Sequence, residues 1–105
     1  KFLKDFDADG ATQIKSRAYG MIGDASAELN KNDDALDYYK KAANVDDKDE
    51  FTSSEFLFRA ALFAESTGKT KDAIELFKKI KEEYPSSDKA SEVDRYLAKL
   101  GEFSE

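Results

Sequence analysis

Asp5, Asp7 and Asp9, three alternate carboxylates followed by Gly10, have the spacing at which a twelve-residue calcium-binding loop sets its first ligands and its sharp turn. Calcium in such a loop also requires a bidentate glutamate at the twelfth position, and Ser16 stands there. The residues therefore read as a polar inter-helix segment closed by a glycine, not as a metal site. Asp33/Asp34, Asp46/Asp47 and Glu82/Glu83 are adjacent carboxylates of the kind used in acid–base chemistry. They could act that way only in a pocket that separates their pKa values. All three pairs fall instead in predicted turns or on solvated helix faces. The chain has no histidine and no cysteine, which removes the commonest general base, the thiol nucleophile and the usual zinc ligands. The expectation is a protein with no catalytic residues, no metal and no cofactor.

The elements that carry these residues are helical. One proline and five glycines in 105 residues, with Ala, Lys, Glu, Asp and Leu dominant, make an all-α composition. The length bounds the chain to one domain or a piece of one. A hydrophobic content of 40% is enough for a core despite 38% charged residues. The net charge of −6 disfavours nucleic acid and anionic membrane surfaces as partners, because an acidic face releases no counterions from either. No apolar run approaches the roughly 20 residues that span a bilayer, and no signal peptide is present.

In order, residues 1–6 (KFLKDF) read as the tail of a helix that begins upstream, because no cap precedes them. Asp7 to Gly10 end it. Thr12 caps a helix over 12–29 whose inward side is Ile14, Ala18, Ile22, Ala25 and Leu29. A turn at 30–33 leads to a helix over 33–45, capped by Asn32 or Asp33, with Ala35, Leu36, Tyr39, Ala42 and Ala43 inside. After a solvated acidic linker (46–50), Thr52 and Glu55 have capping-box spacing, and Phe51 and Phe56 sit where a hydrophobic staple belongs. That helix runs to Thr67 and closes at Gly68. The next spans 71–84 and stops at Pro85. A last helix, started by Ser86, Ser87 and Asp88, sets Ala90, Val93, Leu97 and Leu100 on one face.

Residues 68–85 nearly repeat 38 positions earlier: Asp34, Ala35, Leu36, Tyr39 and Ala42 fall on Asp72, Ala73, Ile74, Phe77 and Ile80. A helical pattern recurring at such an interval marks a repeat array. The pattern resembles the tetratricopeptide repeat. Leu57, Ala60, Ala61, Ala64, Gly68, Ala73, Phe77, Ile80 and Pro85 stand at that family's positions in one copy. Tyr19, Ile22, Gly23, Ser26, Asn30, Ala35, Tyr39 and Ala42 do so in the other. Asn30 replaces the turn glycine and Asp47 the proline. Four residues between the copies, 50–53, explain a register of 38 where the family's period is about 34. The resemblance implies an all-α array of antiparallel helix pairs in a right-handed superhelix with a C-terminal capping helix. Its divisions would be a tail and loop at 1–11, repeats at 12–49 and 50–86, and a cap and tail at 87–105, the whole being the C-terminal fragment of a longer protein.

The resemblance also implies the job, which is binding protein or peptide, and the surface. Its groove is lined by the first helix of each pair, which gives Arg17, Met21 and Asp24 (with Gly20 and Ala27) on one side and Phe58, Arg59, Leu62 and Glu65 (with Glu55) on the other. The lysine and asparagine of carboxylate-clamp members are not reproduced at Gly20 and Asp24, so acidic C-terminal peptides are not the expected ligand. Phe58, Leu62 and Met21 suggest an apolar strip. Gly23-Asp24-Ala25, the KFLKDF start, the KEEYPSS run and the short cap are similar to membrane-anchored periplasmic members of the YfgM-like group, ancillary to the Sec translocon. The Tyr84 to Ser87 run is also similar to outer-membrane assembly and Tol–Pal-associated lipoproteins. These likenesses imply a periplasmic location, with the membrane reached only through an upstream anchor. Phe2, Leu3 and Phe6 would form an apolar N-terminal edge that favours homo-oligomer formation.

Overall fold

The structure is a computed structural model and describes residues 8–46 and 48–101. Five helices follow one another, α1 (Ala8–Glu28), α2 (Asn32–Ala43), α3 (Glu50–Ser66), α4 (Thr70–Glu83) and α5 (Ala90–Lys99), and no strand occurs among the described residues. Each packs mainly on its chain neighbour: α1 on α2, α2 on α3, α3 on α4, and α5 on α4. This is an all-α helical-repeat array.

The turns inside the two pairs are the same device. Asn30 (φ 63°) and Gly68 (φ 83°), 38 positions apart, both take the left-handed conformation that ends a helix and reverses the chain. Asparagine tolerates this region better than other residues with a Cβ, which is why it can stand where the second copy has glycine. The core repeats at the same interval. Ala35 and Ala73 are wholly buried, Ser16 and Ser54 are buried, and Tyr39 and Phe77 occupy equivalent places between helix pairs. Small residues at the crossings let the aromatic rings reach the neighbouring helix. A Cβ on Gly20 would stand 2.6 Å from the ring of Phe56, and one on Gly23 would stand 2.8 Å from that of Tyr39.

Several local features differ from the sequence reading. Asp9 and Gly10 lie inside α1, and Thr12 is within that helix instead of capping it. A calcium loop over 5–16 would have to curl around its ion, which a continuous helix from Ala8 onward cannot do. Asp5, Asp7 and the 1–6 segment lie outside the described residues. The inner face of α1 is Ser16, Tyr19, Gly20, Gly23 and Ala27. Ile14, Ile22 and Leu29 point outward, because the close crossing with α2 and Phe56 demands small side chains and leaves the large aliphatic ones outside. Lys31, not Asn32 or Asp33, precedes α2, with no side-chain cap.

The linker is also more structured than a solvated loop. Asp49 caps α3, accepting from the Thr52 amide at 3.1 Å, so the helix starts two residues before the expected capping box. The Ser53 hydroxyl, buried, lies 2.8 Å from the Ala43 carbonyl and 2.9 Å from that of Asp46, tying α3 to the end of α2. Before α5, the Ser87 hydroxyl donates to the Tyr84 carbonyl at 2.8 Å and accepts from the Ala90 amide at 3.2 Å.

Candidate peptide-binding cleft

A cleft of about 350 Å³ opens between α1 and the first half of α3. Arg17, Met21 and Asp24 line one wall, and Phe51, Thr52, Glu55, Phe56 and Arg59 the other. Their spacing explains why they gather there. Positions 17, 21 and 24 recur at helical steps along one side of α1, as do 52, 55, 56 and 59 on α3. Beyond Phe51 and Glu55, which border both, a second hollow of about 410 Å³ continues to the 86–89 turn, with Ser54, Ser87 and Lys89 among its walls.

The floor is ordered by fixed contacts. The Arg59 guanidinium lies over the Phe56 ring, 5.0 Å from its centroid, and 3.9 Å from the Glu55 carboxylate. The Tyr39 hydroxyl donates to Asp24 Oδ1 at 2.5 Å, pinning α2 to the α1 wall. Burial, and then this hydrogen bond to a carboxylate, push the Tyr39 phenol up to about 12. Two arginines against two carboxylates make the cleft polar but balanced. Met21 and Phe51, 69% and 71% exposed, supply its open apolar contact.

Of the residues expected in the groove, Arg17, Met21, Asp24 and Arg59 are brought together here, with Glu55. The others are not. Phe58 is buried, edge-on to Phe77 and Tyr96 with the Lys89 ammonium over its ring, because α5 lies across that side of α3. Leu62 packs against the same core and keeps partial exposure, and Glu65 lies 3.5 Å from Lys99 of α5. Gly20 is buried beneath Phe56. Phe51 is the cleft residue that sequence reasoning misplaced. As a staple it would be covered, but with α3 starting at Glu50 it projects into solvent. The signal that could have found it was Asp49, a strong capping type two residues ahead of Thr52. Among the described residues no group of carboxylates could hold a metal ion, and no helix is long and apolar enough to cross a membrane.

Residues 16–49 and, separately, 55–87 match sequence profiles of the tetratricopeptide repeat. The two segments take in α2, α4 and most of α1 and α3, and they coincide with the two helix pairs. The chain belongs to the tetratricopeptide-repeat family. No curated protein and no solved structure shows a significant match. Tetratricopeptide repeats generally mediate protein–protein interaction, and proteins built from them are generally non-enzymatic scaffolds. The Arg17–Arg59 cleft lies between the first helices of its two repeats.

Proposed function

We propose that this tetratricopeptide protein holds an extended or partly folded polypeptide segment in the cleft between α1 and α3, as a scaffold in the cell envelope near the Sec translocon. The observation that carries the binding reading is the cleft itself, where exposed Met21 and Phe51 lie among Arg17, Asp24, Glu55 and Arg59. A flexible thioether and a free phenyl ring accept varied side chains, and a rim of both signs pairs with either charge without selecting one. Affinity of such a surface for an unfolded chain is near micromolar, about −8 kcal/mol. The envelope setting rests on the likeness of the Gly23-Asp24-Ala25 and KEEYPSS runs to YfgM-like proteins, with an upstream anchor holding the domain in the periplasm. The Tyr84 to Ser87 run supports a second reading, an outer-membrane assembly or Tol–Pal-associated module, since its serines border the second hollow.

Fluorescence anisotropy with a labelled, permanently unfolded (reduced and carboxymethylated) polypeptide tests the binding. Met21→Ser combined with Phe51→Ser should weaken capture at least tenfold while the thermal melt stays in place, because both side chains are exposed. Unchanged capture would remove the cleft from the function. Fractionation of cells carrying the full reading frame, followed by crosslinking to translocon or outer-membrane components, separates the two settings.

A further inference from the structure

Four of the five large apolar side chains most open to solvent among the described residues belong to one short stretch: Ile14 (70% exposed), Met21 (69%), Ile22 (43%) and Leu29 (68%). Ile14, Ile22 and Leu29 fall with Ala18 and Ala25 on a single stripe, on the opposite side of α1 from the residues that pack on α2. The internal repeat shows what this side is for. Shifted by 38, Ala18, Ile22 and Ala25 become Phe56, Ala60 and Phe63 of α3. Those residues receive the preceding helix pair: Phe56 lies against Gly20, Ala60 is fully buried, and Phe63 meets Tyr39 with ring centroids 5.5 Å apart. The same side of α1 has no covering element among the described residues. At the far end of the array α5 already closes α4, with Val93 and Leu97 buried beneath it. Copies therefore cannot add head to tail, and a contact through α1 has to close on itself.

We infer that the outer face of α1 is a self-association surface and that its occupant is α1 of a second copy, packed antiparallel about a two-fold axis passing between Met21 and Ile22. In that register Ala18 of each copy meets Ala25 of the other, so the backbones approach closely, and Ile14 meets Leu29 at both ends. Ile22 from both copies fills the centre. On the flank nearer the cleft, Arg17 comes alongside Glu28 of the second copy, and symmetry makes this pair twice. A parallel arrangement would set Arg17 beside Arg17 and Glu28 beside Glu28. One helix pair of this length buries less than the roughly 1,200 Å² of a standard interface, so the dimer is reversible and concentration-dependent.

Sedimentation velocity of the whole chain from micromolar to millimolar concentration should show a monomer–dimer equilibrium. Ala18→Glu should be monomeric throughout, with an unchanged melt, because Ala18 is exposed. The chain contains no cysteine, so single substitutions report the geometry. Ile22→Cys should oxidise to a disulfide-linked dimer. Ile14→Cys should not link to itself, its two copies being about 23 Å apart along the helices, but should link to Leu29→Cys in a mixture. A wild-type monomer over the whole range overturns the inference, and protection of Leu29 from hydroxyl radicals in that monomer would assign the face to the chain's own residues 1–7. Self-linking of Ile14→Cys, or dimerisation of Ala18→Glu at wild-type strength, overturns it as well.

Discussion

The rings of Phe77 on α4 and Tyr96 on α5 stack nearly parallel, with centroids 5.2 Å apart and planes 13° from coplanar. Phe58 of α3 meets both edge-on, at 5.9 Å and 5.4 Å. The three rings join the last three helices, so the capping helix is held by aromatic packing as well as by Val93 and Leu97. Phe77 is fully buried at the centre of the group.

Phe77→Ala should therefore cost about 3–5 kcal/mol, a large share of a typical domain stability of 5–15 kcal/mol. Urea unfolding followed by circular dichroism measures it. A loss below about 1 kcal/mol would mean that the aromatic group does not hold the cap. Phe58→Ser should be destabilising for the same reason, whereas Met21→Ser, on an open wall, should leave the midpoint in place.

Gly23→Ala sets two effects against each other. Alanine gains about 1 kcal/mol over glycine in a helix interior. The added Cβ would stand 2.8 Å and 2.9 Å from the Tyr39 ring and 3.3 Å from the Ala35 carbonyl oxygen. The buried ring and the α2 backbone must both move, at about 1–3 kcal/mol. The expected result is net destabilisation, read as a lower melting temperature. A more stable variant would show that the α1–α2 crossing is looser than the structure has it.

Which parts of this were legible in the sequence follows from what each pattern encodes. The α2, α4 and α5 helices were, because one stripe on each is apolar and the rest polar, and the stripe found its own core. Helix α1 was not. Its apolar residues and its buried residues are different sets, since the crossing selects Ser16, Gly20 and Gly23 for size and leaves Ile14 and Leu29 outside. Periodicity alone picks out the more hydrophobic side, which here is the wrong one. The cleft was half legible for a related reason. Helical spacing places Arg59 and Phe58 on adjacent positions, but only the tertiary path of α5 decides that one is covered and the other is open.

The start of α3 offers a direct check on its cap. Hydrogen bonds from Thr52 hold the Asp49 carboxyl below the usual aspartate range, outweighing the opposing effect of burial. Asp49→Ala should cost about 1 kcal/mol, and Thr52→Val less, since the Asp49 contact with the Thr52 amide survives that change. Were Thr52 the cap instead, the order would reverse. The Asp49 contribution is present above its unfolded pKa and should fade as the pH falls through the lower folded value.

The bond from Tyr39 to Asp24 gives the protein a predictable response at high pH. A phenol raised to about 12 in the folded chain, against an ordinary value near 10, is neutral in the fold under conditions where the unfolded chain has already ionised it. Its contribution is thus fully present below pH 10 and is lost as the pH rises from 10 toward 12. The cause is specific: burial disfavours the phenolate, and the Asp24 carboxylate both accepts its proton in a hydrogen bond and repels the charge that would replace it. Tyr39→Phe removes the ionisable group and keeps the ring against Phe63 and Gly23, at a cost of about 1 kcal/mol for the lost hydrogen bond near neutral pH. Chemical denaturation at a series of pH values should show wild type and variant converging between pH 10 and 12, with other tyrosines and lysines contributing equally to both. Parallel curves across that range would mean that Tyr39 ionises at its ordinary pKa, and that α1 and α2 are held at the cleft by packing alone.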